Sequence, residues 1–376
     1  MKKIQMVDLI SQYEKIQPEI DKAILEVVRS AAYINGPAVK AFQQGLEQYL
    51  KVKNVIPCAN GTDALQIAMM ALELQPGDEV IVPTFTYVAT AEVIALLRLK
   101  PVLVDVEPDT YNIDIEATKR AVTPKTKAIV PVHLFGQCAN MEPLMEVANQ
   151  HKLTVIEDNA QAIGADYIFK DGRTAKGGTI AQMGTTSFFP SKNLGCYGDG
   201  GAIFTNDDAL ANQLRMVANH GQSQLYHFDR IGVNSRLDSM QAAILNTKLP
   251  HLDSYCKARV KTADFYDKAF ANHPNIITPY RAKYSTHVFH QYTMQIIDAD
   301  RNILKNALQD KGIPAMIYYP SPLHLQKAYQ DPRYKSGDFP VSEKLSQNVL
   351  SLPMQTELDE EQLNFITQSV LDFFKK

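Results

Sequence analysis

The sequence predicts an α/β fold: a mainly parallel central sheet in a large domain, followed by a smaller C-terminal α/β domain. Short apolar runs recur at 79–83 (EVIVP), 101–106 (PVLVDV), 127–132 (KAIVPV), 153–157 (LTVIE) and 201–205 (GAIFT), each bounded by Pro, Gly, Asp or Asn. Runs of that length between turn formers are how buried strands read. Helix-like stretches at 62–73, 87–97, 142–151 and 207–218 separate most of them, and this alternation is the pattern of βαβ units in a parallel sheet. The chain has 376 residues, beyond the roughly 250–300 at which one core usually stops growing, so two domains are expected.

Before the first strand, Ile10, Ile16, Ile20, Ile24, Val27 and Val28 fall at helical spacing and predict an amphipathic helix over 10–29. From 236 to 272 the pattern is one long helix around Pro250, after which the elements are shorter and mixed. The expected division is therefore near 250, with domains at 1–250 and 251–376. The Pro-containing stretches at 313–322 and 332–340 read as loops of the second domain. In such sheets ligands bind at the carboxyl ends of the strands.

Composition narrows the partners. Lys and Arg total 38 against 41 Asp and Glu, a formal charge of -3, which gives no drive toward nucleic acid or anionic membrane. No stretch approaches the roughly 18 uninterrupted apolar residues of a membrane span. MKKIQMVDLI runs straight into polar SQYEK, unlike a signal peptide. Cys58, Cys138, Cys196 and Cys256 match neither a metal-ligand spacing nor a disulfide framework. These features predict a cytoplasmic protein with reduced thiols and no metal, acting on a small molecule.

Three local patterns carry chemistry. SFFPSKNLGCYGDGG at 187–201 sets one lysine, Lys192, between an aromatic pair and a Gly-rich turn. A lone loop lysine is ordinarily a solvated charge, but desolvation lowers the pKa from about 10.4 and makes the amine a usable nucleophile. EDNAQAIG at 157–164 puts Asp158 at the carboxyl end of a strand. Taken alone it reads as a helix cap; opposite a cofactor's pyridine nitrogen it would hold that nitrogen protonated. CANGTDAL at 58–65 leads into a helix, where Thr62 or Asp63 reads as a cap, or where the open turn at Asn60 and Gly61 aims the first N–H groups at a phosphate.

Together these segments resemble the sugar aminotransferases of the DegT/DnrJ/EryC1/StrS family, which have the aspartate aminotransferase-like fold type I of pyridoxal-phosphate enzymes. The resemblance covers essentially the whole chain and includes GPAV at 36–39, PTFTYVATAE at 83–92, DVEPDTYNID at 105–114, PVHLFGQ at 131–137, NSRLDSMQAAIL at 234–245 and YYPSPLHLQ at 318–326. It implies pyridoxal 5'-phosphate as cofactor, with Lys192 holding it covalently and shuttling the proton, and Asp158 on the pyridine nitrogen. Tyr87 would stack on the ring, and Gln161 would lie beside the phenolic oxygen. Gly61, Thr62, Asp63 and Ser187 would bind the phosphate, joined by Asn234 from the neighbouring subunit of a homodimer with shared sites. Tyr33, Ser191, Arg236, Tyr318, Tyr319 and His324 would form the sugar pocket; Arg236 otherwise reads as the partner of Asp238.

The implied reaction passes an amino group from L-glutamate to a keto sugar on a nucleotide. The resemblance points to UDP-linked 3-keto-N-acetylglucosaminuronic acid, destined for a surface polysaccharide such as lipopolysaccharide O-antigen or capsule, with a 4-keto-6-deoxy sugar as the alternative. Where many relatives read EDAAQ this chain has Asn159, and where relatives carry His-Tyr-Pro it has Tyr318, Tyr319 and Pro320. A dehydratase of the same family would lack Lys192. A nicotinamide enzyme would need G-x-G-x-x-G after an early strand, a spacing that neither NGTDAL nor GCYGDGG provides. A regulator that merely kept the fold would be expected to lose Lys192 or Asp158.

Overall fold

The computed structural model describes residues 2–375. The chain opens with α1 (Leu9–Glu14), α2 (Gln17–Ser30) and α3 (Pro37–Leu50), then enters the sheet at β1 (Asn54–Cys58). The alternating part follows: α4 (Gly61–Ala71), β2 (Glu79–Pro83), α5 (Ala89–Leu96), β3 (Lys100–Val104), α6 (Ile115–Ala121), β4 (Thr126–Ile129), α7 (Met141–His151) and β5 (Thr154–Asp158). After a small hairpin of β6 (Asp166–Ile168) and β7 (Thr174–Lys176), β8 (Met183–Ser187) and β9 (Gly201–Thr205) return to the sheet. Next come α8 (Asp208–Ala218), a hairpin of β10 (Gln222–Gln224) and β11 (His227–Phe228), α9 (Ser239–Lys248) and α10 (Leu252–Phe270). The last part holds β12 (Ile276–Ile277), β13 (Tyr292–Ile296), α11 (Arg301–Asp310), α12 (Pro340–Asn348), β14 (Val349–Leu352) and α13 (Glu360–Phe373).

Seven strands form the central sheet in the order β1-β9-β8-β5-β4-β2-β3. Pairings among β2, β3, β4, β5 and β8 are parallel, while β9 is antiparallel to both β1 and β8. One apolar cluster covers one face with Phe42, Leu46, Leu144 and Leu252, and a second covers the other with Ile67, Ala91, Ile94 and Leu214. Strands buried on both faces must be apolar throughout, which is why they were legible as continuous runs. A third cluster lies against β12-β13-β14 and gathers Tyr266, Phe270, Leu304, Ile366 and Ile4.

Three expectations need correcting. The helix expected over 10–29 is two helices broken at Lys15 and Ile16, because Pro18 supplies no N–H and fits only a first turn. The long pattern over 236–272 is α9 and α10 joined by a 3₁₀ turn, Leu249–His251, at Pro250. Between β5 and β9 the sheet also contains β8, MGTTS, which has no apolar run. Its buried Thr185 and Thr186 suit a pleated strand because they are β-branched. The four cysteines are free thiols, all buried, and among the described residues no helix is long and apolar enough to cross a membrane.

Candidate active site

The carboxyl ends of β5 and β8 and the start of α4 enclose a cavity of about 470 Å³, as expected of ligand sites in open α/β sheets. At its base β5 ends on Asp158, only 6% exposed. One carboxylate oxygen, Oδ2, accepts from the Thr90 hydroxyl at 2.9 Å, and Oδ1 accepts from the Ala160 N–H at 3.1 Å. Side chains alternate along a strand, so the neighbouring Glu157 serves a different purpose. Its Oε1 accepts from the N–H groups of Ile180 and Ala181, each at 2.7 Å, and its Oε2 from Gly178 N–H at 2.9 Å. His133 Nδ1 accepts from Ala139 N–H, which assigns the ring proton to Nε2, the donor to Glu157 Oε2 at 2.9 Å. With four donors on one buried carboxylate, the end of β5 is held rigidly where Asp158 leaves it.

Lys192 stands on the loop between β8 and β9, and its side chain lines the cavity. The loop is fixed from several sides: Phe188 N–H donates to Gly200 O, Cys196 N–H to Phe188 O and Lys192 N–H to Phe189 O. Lys248 Nζ donates to Gly195 O at 2.6 Å, and Asn193 Nδ2 to Val288 O at 3.0 Å. A Cβ on Gly195 would lie 2.3 Å from Pro190 O, so the tight turn needs glycine there. Desolvation lowers the Lys192 ammonium to about 8, with Asp158 opposing the shift. This is the depressed pKa that an amine nucleophile needs.

The third wall is the N-terminus of α4. Asn60, rather than Thr62 or Asp63, is the cap: its Oδ1 accepts from Asp63 N–H at 2.8 Å, and its carbonyl takes Ala64 N–H. The N–H groups of Gly61 and Thr62 therefore meet the cavity with no acceptor inside the helix. Ser187 closes the cradle so tightly that a Cβ on Gly61 would lie 2.7 Å from Ser187 Cβ. Unpaired N–H groups, a hydroxyl and a helix dipole make an anion site. Opposite stand Tyr87, Phe135, Tyr318 and Tyr319. Gln161 Oε1 accepts from Phe135 N–H at 2.8 Å while its Nε2 donates to the Tyr319 hydroxyl at 3.1 Å, which fixes its amide against that wall.

Gly61, Thr62, Tyr87, Asp158, Gln161, Ser187, Ser191, Lys192, Tyr318 and Tyr319 therefore line one cavity. Other expected positions lie elsewhere within the subunit. Asp63 does not line it, its N–H being the one that Asn60 caps. His324 does not line it: its imidazole is buried, with Nδ1 on the Thr84 hydroxyl and Nε2 on Glu343 Oε1 at 3.0 Å, so it braces a loop. Tyr33 and Asn234 are exposed outside the cavity. Arg236 is half-buried, also outside, and pairs neither with Asp238 nor with another described residue. Ser235, between them, accepts from Ala59 N–H at 3.0 Å, which ties that segment to the rim of the α4 cradle. Thr90, Phe135, Asp199, His290 and Gln291 carry no individual signal in the sequence; all but Thr90 line the cavity.

These residues fit pyridoxal phosphate on their own chemistry. The cavity combines an anion cradle, an aromatic wall, a buried carboxylate held by a hydroxyl and a backbone donor, and an amine of lowered pKa. Among the described residues no group of His, Cys, Asp or Glu could hold a metal ion.

Comparison with known proteins agrees. A "Pleiotropic regulatory protein" from Geobacillus stearothermophilus is 46% identical over 374 residues, 99% of each chain. A "UDP-2-acetamido-2-deoxy-3-oxo-D-glucuronate aminotransferase" from Pseudomonas aeruginosa is 46% identical over 363 residues, 96% of this chain and 98% of the relative. The crystal structure of NtdA from Bacillus subtilis, with bound cofactor PMP, superposes with a TM-score of 0.88 at 30% identity, covering 99% of this chain and 83% of that one. Residues 14–371 match the DegT/DnrJ/EryC1/StrS aminotransferase family, and this chain belongs to that family as a pyridoxal-phosphate-dependent sugar aminotransferase of fold type I.

Proposed function

We propose that this enzyme aminates C3 of a UDP-linked 3-keto-N-acetylglucosaminuronic acid, with L-glutamate as donor, and that Lys192 and Asp158 are its catalytic residues. The observation that carries the substrate is the 46% identity, end to end, to a relative named for that sugar. Arg236 supports it: an arginine without a protein carboxylate, on a segment tied to the cradle rim, is available for the fork-shaped hydrogen bonding a uronate invites. In this reading the Gly61 and Thr62 N–H groups and Ser187 hold the cofactor phosphate, Tyr87 covers the ring, and Gln161 stands beside it. When bound, pyridoxal phosphate supplies the electron sink through which an amino group passes from donor to acceptor. Asp158, aimed by its hydrogen bonds from Thr90 and Ala160, would pair with the pyridine nitrogen and hold its proton there. Lys192 takes and returns the proton at Nζ, a task suited to an amine with a pKa near working pH.

The enzyme acts as a homodimer in this reading. Asn234, Arg236 and Tyr33, which stand outside their own subunit's cavity, complete the neighbour's. The test is the reverse half-reaction, in which loss of cofactor colour is followed with a panel of amino-sugar nucleotides. The 3-amino uronate should discharge the cofactor fastest. A faster uncharged 4-amino-6-deoxy sugar would overturn the uronate and leave the aminotransferase standing.

A further inference from the structure

His290 lines the same cavity as Lys192. It is 5% exposed, and its Nδ1 is buried without a hydrogen-bond partner; Nε2 likewise bonds to no other described residue. Leaving the buried Nδ1 unsatisfied costs on the order of 1–3 kcal/mol, so its persistence calls for a reason.

The segment around it is built with unusual care. Val288 N–H donates to Gly136 O at 2.8 Å and Gln291 N–H to Phe135 O at 3.3 Å, which pins both flanks. The buried Arg259 donates through Nη1 to the carbonyls of Phe289 and His290, each at 3.2 Å, and of Met354 at 3.0 Å. Gly136 has φ of +111°, and a Cβ there would meet His290 N and Phe289 N at 2.8 Å, so only glycine permits the approach. Phe289 itself has φ of +47°, a left-handed conformation that is uncommon for a bulky aromatic. Strain of this kind persists where surrounding contacts impose it and tends to gather at functional sites. All these contacts hold the main chain of 288–291, and none uses the imidazole.

We infer that His290 is a positioning residue for Lys192: its neutral imidazole accepts a hydrogen bond from the Lys192 amine during the half of the cycle in which that amine is unbonded. Two observations support the direction of the bond. Burial, with Lys192 and Arg259 nearby, holds the His290 pKa well below its ordinary value, so one ring nitrogen keeps its lone pair. Lys192 has no hydrogen-bonding partner at Nζ among the described residues, so a freed amine would otherwise swing unsteered in the cavity. The bond is a hydrogen bond only and moves no electrons. The inference rests on Lys192 as the cofactor lysine.

The experiment uses the full-length enzyme labelled with ¹⁵N-histidine, loaded either with pyridoxal phosphate or with pyridoxamine phosphate, which leaves Lys192 unbonded. His290→Gln assigns the resonances. The His290 nitrogens should shift between the two forms while those of the other histidines, eight of the nine, move less. In parallel, His290→Phe should lower kcat on the order of tenfold with KM for the nucleotide sugar nearly unchanged, and His290→Gln, whose amide can still accept, should recover most of the loss. Static His290 resonances overturn the inference even if His290→Phe fails to fold, as does a folded His290→Phe enzyme with wild-type kcat. Borohydride fixation on wild-type protein separates the two levels: a label on a lysine other than Lys192 removes the underlying reading, whereas a label on Lys192 with silent His290 resonances removes this inference alone.

Discussion

Thr90 donates its hydroxyl proton to Asp158 at 2.9 Å, joining the first turn of α5 to the end of β5 at the base of the proposed cofactor site. The carboxylate is thereby aimed into the cavity. Asp158→Asn should therefore lower kcat by roughly a hundredfold or more, with little loss of thermal stability, because shape survives while charge does not. Thr90→Val removes only one of the two donors and should cost roughly tenfold. Activity measured beside a thermal melt checks both. Parallel losses in activity and stability for Asp158→Asn would make the aspartate structural.

The lowered Lys192 pKa gives a prediction in cofactor-free enzyme. Because burial favours the neutral amine, labelling of Lys192 by an amine-specific reagent should show a midpoint near pH 8, well below the roughly 10.4 of a surface lysine. The same shift is a stability statement. Between pH 8 and about 10.4 the unfolded chain binds more protons than the folded one, so folding stability rises with pH across that window. Below it both states are charged, and the full burial cost is present. Wild type should gain stability relative to Lys192→Met as pH rises through the window, and a constant difference between their melting temperatures would count against the lowered pKa.

Gly61 packs closely against Ser187 in the proposed phosphate cradle. Adding a methyl group would place Cβ 2.7 Å from Ser187 Cβ, so α4 and the end of β8 must separate and the two donor groups on either side move apart. Gly61→Ala should weaken cofactor binding by tenfold or more, since a misplacement near 1 Å is costly in a pre-organised site. Fluorescence titration of apo-protein with pyridoxal phosphate reads the loss directly.

The parts of the site that were visible in the sequence are those where chemistry and backbone demand coincide. Lys192 sits among glycines because its loop makes turns as tight as Gly195 against Pro190, and Asp158 follows an apolar run because its strand is buried. The hidden parts depend on distant pairings. Thr90 lay within a recognised motif, but nothing local says that it meets Asp158, 68 positions away. His290 reads as one polar residue in an aromatic stretch, and its place in the wall of the same cavity as Lys192 depends on Arg259 and Gly136, neither adjacent in sequence. β8 is hidden for a different reason: MGTTS carries threonines rather than an apolar run, and its pairing between β5 and β9 satisfies the backbone. His324 shows the converse, a motif residue whose imidazole is engaged by Thr84 and Glu343, pairings that nothing local in the sequence announces.

Asn234 is exposed, with Ser235 beside it tethered to Ala59 and so to the cradle rim. If it reaches the phosphate of a neighbouring subunit, its loss and the loss of Lys192 damage different halves of one composite site. Asn234→Ala alone should reduce cofactor affinity by about tenfold, the scale of one lost hydrogen bond to a charged group. Lys192→Ala alone should abolish turnover. In a mixed dimer one site carries both lesions and the other carries neither, because each subunit lends its Asn234 across the interface. Two inactive or weakened preparations, mixed and allowed to exchange subunits at low cofactor concentration, should therefore regain activity. About half of a random mixture is hybrid, and one of its two sites is intact, so recovery should approach roughly a quarter of wild-type turnover. Exchange is verified independently with a mass-tagged subunit. Hybrids that form and stay at the level of the separate variants would show that each subunit builds its site from its own residues alone.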